Sequence, residues 1–458
     1  MDQISNDPGL LDQFMRDFLE SNGRASRELE RLIVFYELFK KTKEYSLAEM
    51  VLKNLMSQLQ SRIQQADPDL KKADPDSKKA DPDSKKADPD SKKVDPGAKS
   101  DLLLQNRRKL VEILVHLSTH FRLLSRFKES QQYGEEALKE CISAHGRRTK
   151  ECALIMLKLS DIYSCQNMFK EAGIHCNEAY DVLCEVYPEA NGINFNVVNA
   201  LQLVAENLED RREWLQSREK YRLLLRYRLA VTGTSSPDVA ATYTILGNIE
   251  ELLCNFQQAI ELHSNAKEMY EGFYGVDHAS VSGALTAIAH NYDQMGVVKK
   301  SLSYHFCALE MRQKCLNLLK NENKIESNEH VADSLSNIAL LLFEVDNIPK
   351  SLEYLEKAFK IRQDNNTSSR SRISDILLAT SMTNLAKLLT HHRTSTPQDL
   401  VNLHRACKLL SDAYTYKAAK YGVKHVAIQQ ILYNQAVAHD LNGYVNTKLS
   451  VLKKKKGN

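Results

Sequence analysis

Between Pro237 and His278 the chain reads PDVAATYTILGNIEELLCNFQQAIELHSNAKEMYEGFYGVDH, and its apolar and small positions repeat with the period of helices rather than strands. Small residues stand at Gly247, Ala259 and Ala266, the eighth, twentieth and twenty-seventh places of a unit, beside apolar Leu246, Phe256 and Ile260. This spacing predicts two antiparallel helices, A and B. Helices approach closely only where a side chain shrinks to a hydrogen, methyl or hydroxymethyl, so one small residue on each sets the packing distance.

The same template recurs along the chain. Its helix-A small residue falls at Ser118, Ser160, Ala205, Gly247, Ala289, Ala339, Ala386 and Ala436, at spacings of 42, 45, 42, 42, 50, 47 and 50. Twelve residues after the first six lie Ser130, Ala172, Ser217, Ala259, Ser301 and Ser351. Seven further lie Ala137, Ala179, Leu224, Ala266, Ala308 and Ala358, of which only Leu224 is large. The seventh unit keeps Ala406 and Ala413 after a polar insertion, HHRTSTPQDL, at 391–400. The eighth helix A is expected at about 428–441 with hardly a helix B behind it.

The turns between units carry their own signature: TGTSSPDV, YGVDHASV, ESNEHVADS and YGVKHVAI, with units closing on segments like SLEYLEKAFKIRQ at 351–363. On these residues the chain resembles the kinesin light chain class of tetratricopeptide proteins from residue 107 to about 448. The resemblance implies an all-α fold, a right-handed α-solenoid of antiparallel helix pairs. It also implies that Asn337, Asn384 and Asn434, which open NIALL, NLAKLL and NQAVA, are groove asparagines that clasp the backbone amides of a ligand. An asparagine offers a donor and an acceptor together, as an extended peptide requires.

Four regions are expected: a cap helix and divergent helix pair at 1–65, a linker at 66–100, the array at 101–450 and a basic tail at 451–458. The cap rests on LLDQFMRDFLE at 10–20 and the divergent pair on Tyr36, Ala48 and Leu55. The linker is five copies of a seven-residue unit of the ADPDSKK type. Each copy holds a proline and the run has no apolar seam, so it predicts a disordered polyampholyte rather than a coiled coil. The tail holds four lysines, Lys453 to Lys456.

Lys plus Arg number 62 against 59 Asp plus Glu, and the net charge of +3 is too small for bulk attraction to nucleic acid or a membrane. No run approaches the 18 or so apolar residues of a membrane span, and MDQISNDPG does not begin like a secretion signal. Nine cysteines without a C-x-x-C pair fit reduced thiols and a cytoplasmic location. Cys176 and Cys254 fall where the template packs a small apolar residue, and the sequons at Asn365 and Asn366 are expected to be idle.

The 16 glycines form neither G-x-G-x-x-G nor a P-loop, and no His, Cys or carboxylate set has ligand spacing. No catalytic residue, metal or cofactor is therefore expected, and the function expected is a protein-interaction scaffold or adaptor. Two alternatives stand beside it: an accessory subunit of a larger enzyme or transport complex, and an RNA-associated helical repeat. The groove-facing places of helix A hold Asn199, Gln202, Glu206, Glu209 and Asp210, then Thr244, Asn248 and Glu251, then Thr286, His290, Asp293 and Gln294. Asp333, Ser336, Asn337, Phe343 and Glu344 follow. Seven are acidic and none is Lys or Arg, which favours a basic or neutral peptide. His305 is expected to be a groove or packing residue.

The basic helix RREWLQSREKYRLLLRYR at 211–228 places Arg218, Arg222 and Arg226 on one stripe beside Trp214 and Tyr221. Such a stripe could meet nucleic acid or an acidic partner. A solvated outer face is the reading favoured here, and nucleic acid is disfavoured. Residues 1–100 lack the heptad coiled coil by which kinesin light chains hold their heavy chain, which argues against a kinesin partner. Thr244 stands where a carboxylate clamp needs Lys or Arg beside Asn248, which disfavours chaperone tails.

Overall fold

The computed structural model describes residues 45–66, 96–233, 236–318, 324–368, 371–391, 397–423 and 425–456. The expected cap at 10–20, the helix around Tyr36 and linker residues 67–95 lie outside the described residues. Among those described there are helices and no strand. None of these helices is long and apolar enough to cross a membrane.

The chain divides into two compact units, Met1–Tyr227 and Arg228–Asn458. The first holds α1 (Tyr45–Ala66), α2 (Pro96–Leu123), α3 (Phe127–His145), α4 (Lys150–Cys165), α5 (Phe169–Val186), α6 (Phe195–Asp210) and most of α7 (Trp214–Thr232). The second holds α8 (Pro237–Leu252), α9 (Phe256–Tyr274), α10 (Ala279–Gln294), α11 (Val298–Leu318), α12 (Lys324–Glu344) and α13 (Ile348–Ser368). It continues with α14 (Arg372–His391), α15 (Pro397–Tyr421) and α16 (Val426–Lys456). From α2 onward the even-numbered helices are the A helices and the odd-numbered ones the B helices. Helix α2 begins at Pro96, inside the last ADPDSKK-type copy.

Within each pair the small residues meet as the template requires. Ser118 and Ser130 exchange bonds, each hydroxyl donating to the other's carbonyl at 2.7 and 2.6 Å. Ser160 donates to Ala172 O at 3.0 Å, Ser217 to Ala205 O at 3.1 Å and Ser351 to Ala339 O at 2.6 Å. Each of these serines lets the backbones close and satisfies its own hydroxyl on the facing helix, whereas the buried hydroxyl of Ser301, opposite Ala289, finds no such acceptor. At Gly247, whose partner Ala259 also lacks a hydroxyl, the ring of His263 fills the space. A Cβ added to Gly247 would lie 2.5 Å from that ring. Leu224 is fully buried.

The last helix departs from expectation. Helix α16 runs on to Lys456 instead of ending near 441, so the backbone of the basic tail is helical. Ala436 is exposed, and Ile428, Ile431, Ala438 and Val445 are buried instead. Ala436 occupies the face that would meet a following helix B, and no described helix follows.

The turns have a physical explanation. Each of the first six A-to-B turns places one residue in the left-handed region: Ser125, Asn167, Arg212, Cys254, Gly296 and Asp346. The next amide of the chain then closes on the A helix, as Arg126 N does on Phe121 O at 2.9 Å. Cys254 is therefore a turn residue and exposed, which corrects the expectation that it packs like buried Cys176. In the Tyr-Gly-x-x-His signature, Gly275 takes a φ of 87° and His278 Nδ1 accepts from Ser280 N at 3.2 Å, capping α10. Tyr274 stacks on that imidazole at 4.1 Å. Tyr421, Gly422 and His425 repeat the arrangement before α16, with His425 Nδ1 accepting from Ala427 N at 3.1 Å.

Candidate partner-binding face

In the first unit the expected groove residues lie on α6. Asn199 and Glu206 are half-buried and Asp210 is exposed. Glu206 accepts from Gln202 Nε2 at 2.7 Å. Glu209 accepts from the hydroxyl of Tyr221 at 3.0 Å.

The second unit brings more of the expected residues together. Glu251 of α8 and His290 of α10 approach to 3.3 Å while remaining 26% and 50% exposed. Asn291, fully buried, donates from Nδ2 to the other oxygen of Glu251 at 2.9 Å. The bond from His290 holds the Glu251 carboxyl below the usual carboxylate range against the opposing effect of burial. In return Glu251 raises the pKa of His290, and Asp293 adds to that. Asn248 is exposed, and Asp293, Asn337, Asn384 and Asn434 are half-buried. Asn434 accepts from Gln430 Nε2 one turn earlier, at 3.3 Å. His305 is a packing residue, buried on α11.

Arginines from B helices reach the A helices, which the groove positions of helix A did not disclose. Arg228 donates to Thr242 Oγ1 at 2.6 Å and to Asp238 O at 3.1 Å. Arg312 links Thr286 of α10, at 3.0 Å, to Ser334 Oγ at 2.5 Å and His330 O at 2.9 Å on α12. Arg362, only 4% exposed, pairs with Glu329 at 2.5 Å and with Asp333, and donates to Ser381 of α14 at 2.7 Å. Asp333 is thus an ion-paired carboxylate. The arginine reaches A helices on both sides, so α10 is joined to α12 and α12 to α14 through polar contacts.

The signal was present in the spacing. Each of these arginines stands four residues after the helix-B residue at the twenty-seventh place: Leu224, Ala308 or Ala358. Each hydroxyl stands five residues before the next helix-A small residue: Gly247, Ala339 or Ala386. Between them, the unit with Tyr270 in place of arginine has Ala284 in place of the hydroxyl, and Tyr270 packs on an apolar cluster with Val281, Leu285 and Ala308.

The arginine stripe on α7 is paired. Arg218 and Arg222 lie 3.3 and 3.2 Å from Glu219, and Arg226 lies 3.4 Å from Glu189. Tyr221 is buried, so it is not a free stacking platform between the arginines. Asn365 and Asn366 are buried as well. Among the described residues, no group of three or more His, Cys, Asp or Glu is placed to hold a metal ion.

Residues 238–314 and 331–364 match sequence profiles of the tetratricopeptide repeat. Kinesin light chain-related protein 1 of Arabidopsis thaliana is 26% identical over 145 residues, 31% of this chain and 22% of that protein. Kinesin light chain-related protein 3 of the same organism is 25% identical over 136 residues, 30% of this chain and 18% of that protein. The matched stretch therefore spans about a fifth of the length of these relatives. Among solved structures, a signal transduction ATPase with a tetratricopeptide repeat sensor, from Pyrococcus horikoshii, is similar at a TM-score of 0.51 and 11% identity. That likeness covers 87% of this chain and 55% of the other, and it is one of fold. The chain thus carries tetratricopeptide repeats. Its repeats are similar to those of the kinesin light chain-related proteins.

Proposed function

We propose that the A-helix face of the second unit, on α8, α10, α12 and α14, holds an extended peptide segment of basic or neutral character. The observation that carries this is the Glu251 and His290 pair. It joins successive A helices and leaves both side chains partly open to solvent, so a ligand lying across the helices meets one polar surface. Asn337 and Asn384 stand two residues before the small residue of their helices, half-buried, and supply paired donors and acceptors at repeating intervals. Glu251 and Asp293 supply the negative charge that steers a basic segment. The ion pairs of Arg218, Arg222 and Arg226 support a solvated outer face over a nucleic-acid surface. Selection from a displayed library of linear dodecapeptides tests the reading. Enrichment of Lys- or Arg-containing or uncharged sequences supports it, and enrichment of Asp- and Glu-rich sequences overturns it.

A further inference from the structure

Cys141 near the end of α3 and Cys152 in the first turn of α4 have their sulfurs 3.1 Å apart, and both residues are 0% exposed. Both thiols are free, and Cys152 Sγ also lies 3.1 Å from the Gly146 carbonyl. The turn between them is clasped to α5 by Arg147 with Glu178 and Arg148 with Glu185, so the two helix ends are held in register. Sequence spacing could not reveal the pair, because ten residues separate two cysteines that only the helix reversal brings together. A contact this short needs about 1 Å of further approach to reach a disulfide bond, a side-chain adjustment rather than a backbone one.

We propose that Cys141 and Cys152 form a reversible disulfide when the protein meets hydrogen peroxide, and that this bond locks α3 to α4. One thiol sulfur attacks the peroxide, giving a sulfenic acid and one water. The neighbouring thiol then displaces the hydroxyl as a second water, and the S–S bond forms. Two electrons pass from the two thiols to the peroxide oxygens, and both thiol protons end in water. Burial favours a peroxide, which has two heavy atoms at its reactive end, over a bulky disulfide. Burial and the neighbouring sulfur hold the Cys141 thiol well above its usual pKa, so little thiolate is present at neutral pH and the oxidation is slow.

Peptide mapping of the full chain without reductant, before and after hydrogen peroxide, tests this. Arg147, Arg148 and Lys150 lie between the cysteines, so trypsin leaves a linked pair of peptides, 140–147 with 151–158, which a thiol reductant separates. Hydrogen exchange in α3 and α4 slows on oxidation of the wild type and is unchanged by peroxide in Cys152→Ala. Peptides that remain unlinked once exposed Cys165 is oxidised would overturn the proposal. So would linkage of Cys141 to another cysteine, or a linked pair with unchanged exchange in α3 and α4.

Discussion

His290 of α10 lies 3.3 Å from Glu251 of α8, imidazole Nε2 to carboxylate Oε1, and each residue shifts the other toward its charged form. The raised pKa of His290 means that its contribution is complete below about pH 6.5, its unfolded value, and fades as pH rises through the higher folded value. Glu251 behaves oppositely, contributing above its unfolded value and losing that contribution as pH falls through the lower folded one. Half-exposure limits the pair to less than about 1 kcal/mol. In a ring-proton NMR titration His290 should have a midpoint above 6.5, and Glu251→Gln should bring it down. A midpoint at or below 6.5 in the wild type would contradict the pairing.

Gly247, the helix-A small residue of its unit, packs against the ring of His263. Gly247→Ala sets a methyl where His263 already sits, in a site with no space to yield, and overpacking of this kind costs about 1 to 3 kcal/mol. The double variant Gly247→Ala with His263→Ala should recover part of the loss. Denaturant unfolding of the single and double variants reads the coupling, and purely additive effects would contradict the contact.

Arg362 is nearly fully buried between Glu329, Asp333 and Ser381. Arg362→Met leaves two carboxylates beside an apolar stem and should lower stability by about 3 kcal/mol. Arg362→Lys should restore little, because a point charge cannot reproduce a fork that touches three partners. Hydrogen exchange should rise in α12 to α14 first, since each repeat is stabilised by its neighbours.

Buried His305 faces Arg312 and His290, and burial together with those groups pushes its pKa down to about 4. The unfolded chain then binds the proton more readily. The stability it contributes is present above about pH 6.5 and is lost as pH falls toward 4. The full shift corresponds to roughly 3 kcal/mol. His305→Leu should flatten the fall in urea midpoint between pH 6.5 and 4, and an unchanged profile would assign acid sensitivity elsewhere.

The fold was legible because its determinant is local: Ser118, Ser160, Ala205, Gly247, Ala289, Ala339 and Ala386 are buried where two helices must touch, and that requirement is written in residue size. Ala436 was misread for the same reason, since a small residue signals a crossing whether or not a described helix stands opposite. The groove was legible only in part. Glu251 and His290 could be assigned to one face from helical periodicity, but their pairing depends on how successive A helices stack. Arg312 and Arg362 were missed as groove neighbours because a B helix was counted as outer face, while a long guanidinium stem reaches inward. Cys254 shows the limit of template matching. A left-handed turn position tolerates cysteine, so residue type alone did not separate it from the buried Cys176.

The most direct test of the peptide-binding face is fluorescence polarisation with one labelled dodecapeptide enriched by the wild-type protein, measured against Glu251→Lys/Asp293→Lys at two salt concentrations. Wild-type affinity should fall as salt is raised, and the double reversal should weaken binding at least tenfold and remove most of the salt dependence while leaving the unfolding midpoint near that of wild type. Undiminished affinity in a folded double variant would contradict the assignment of this face.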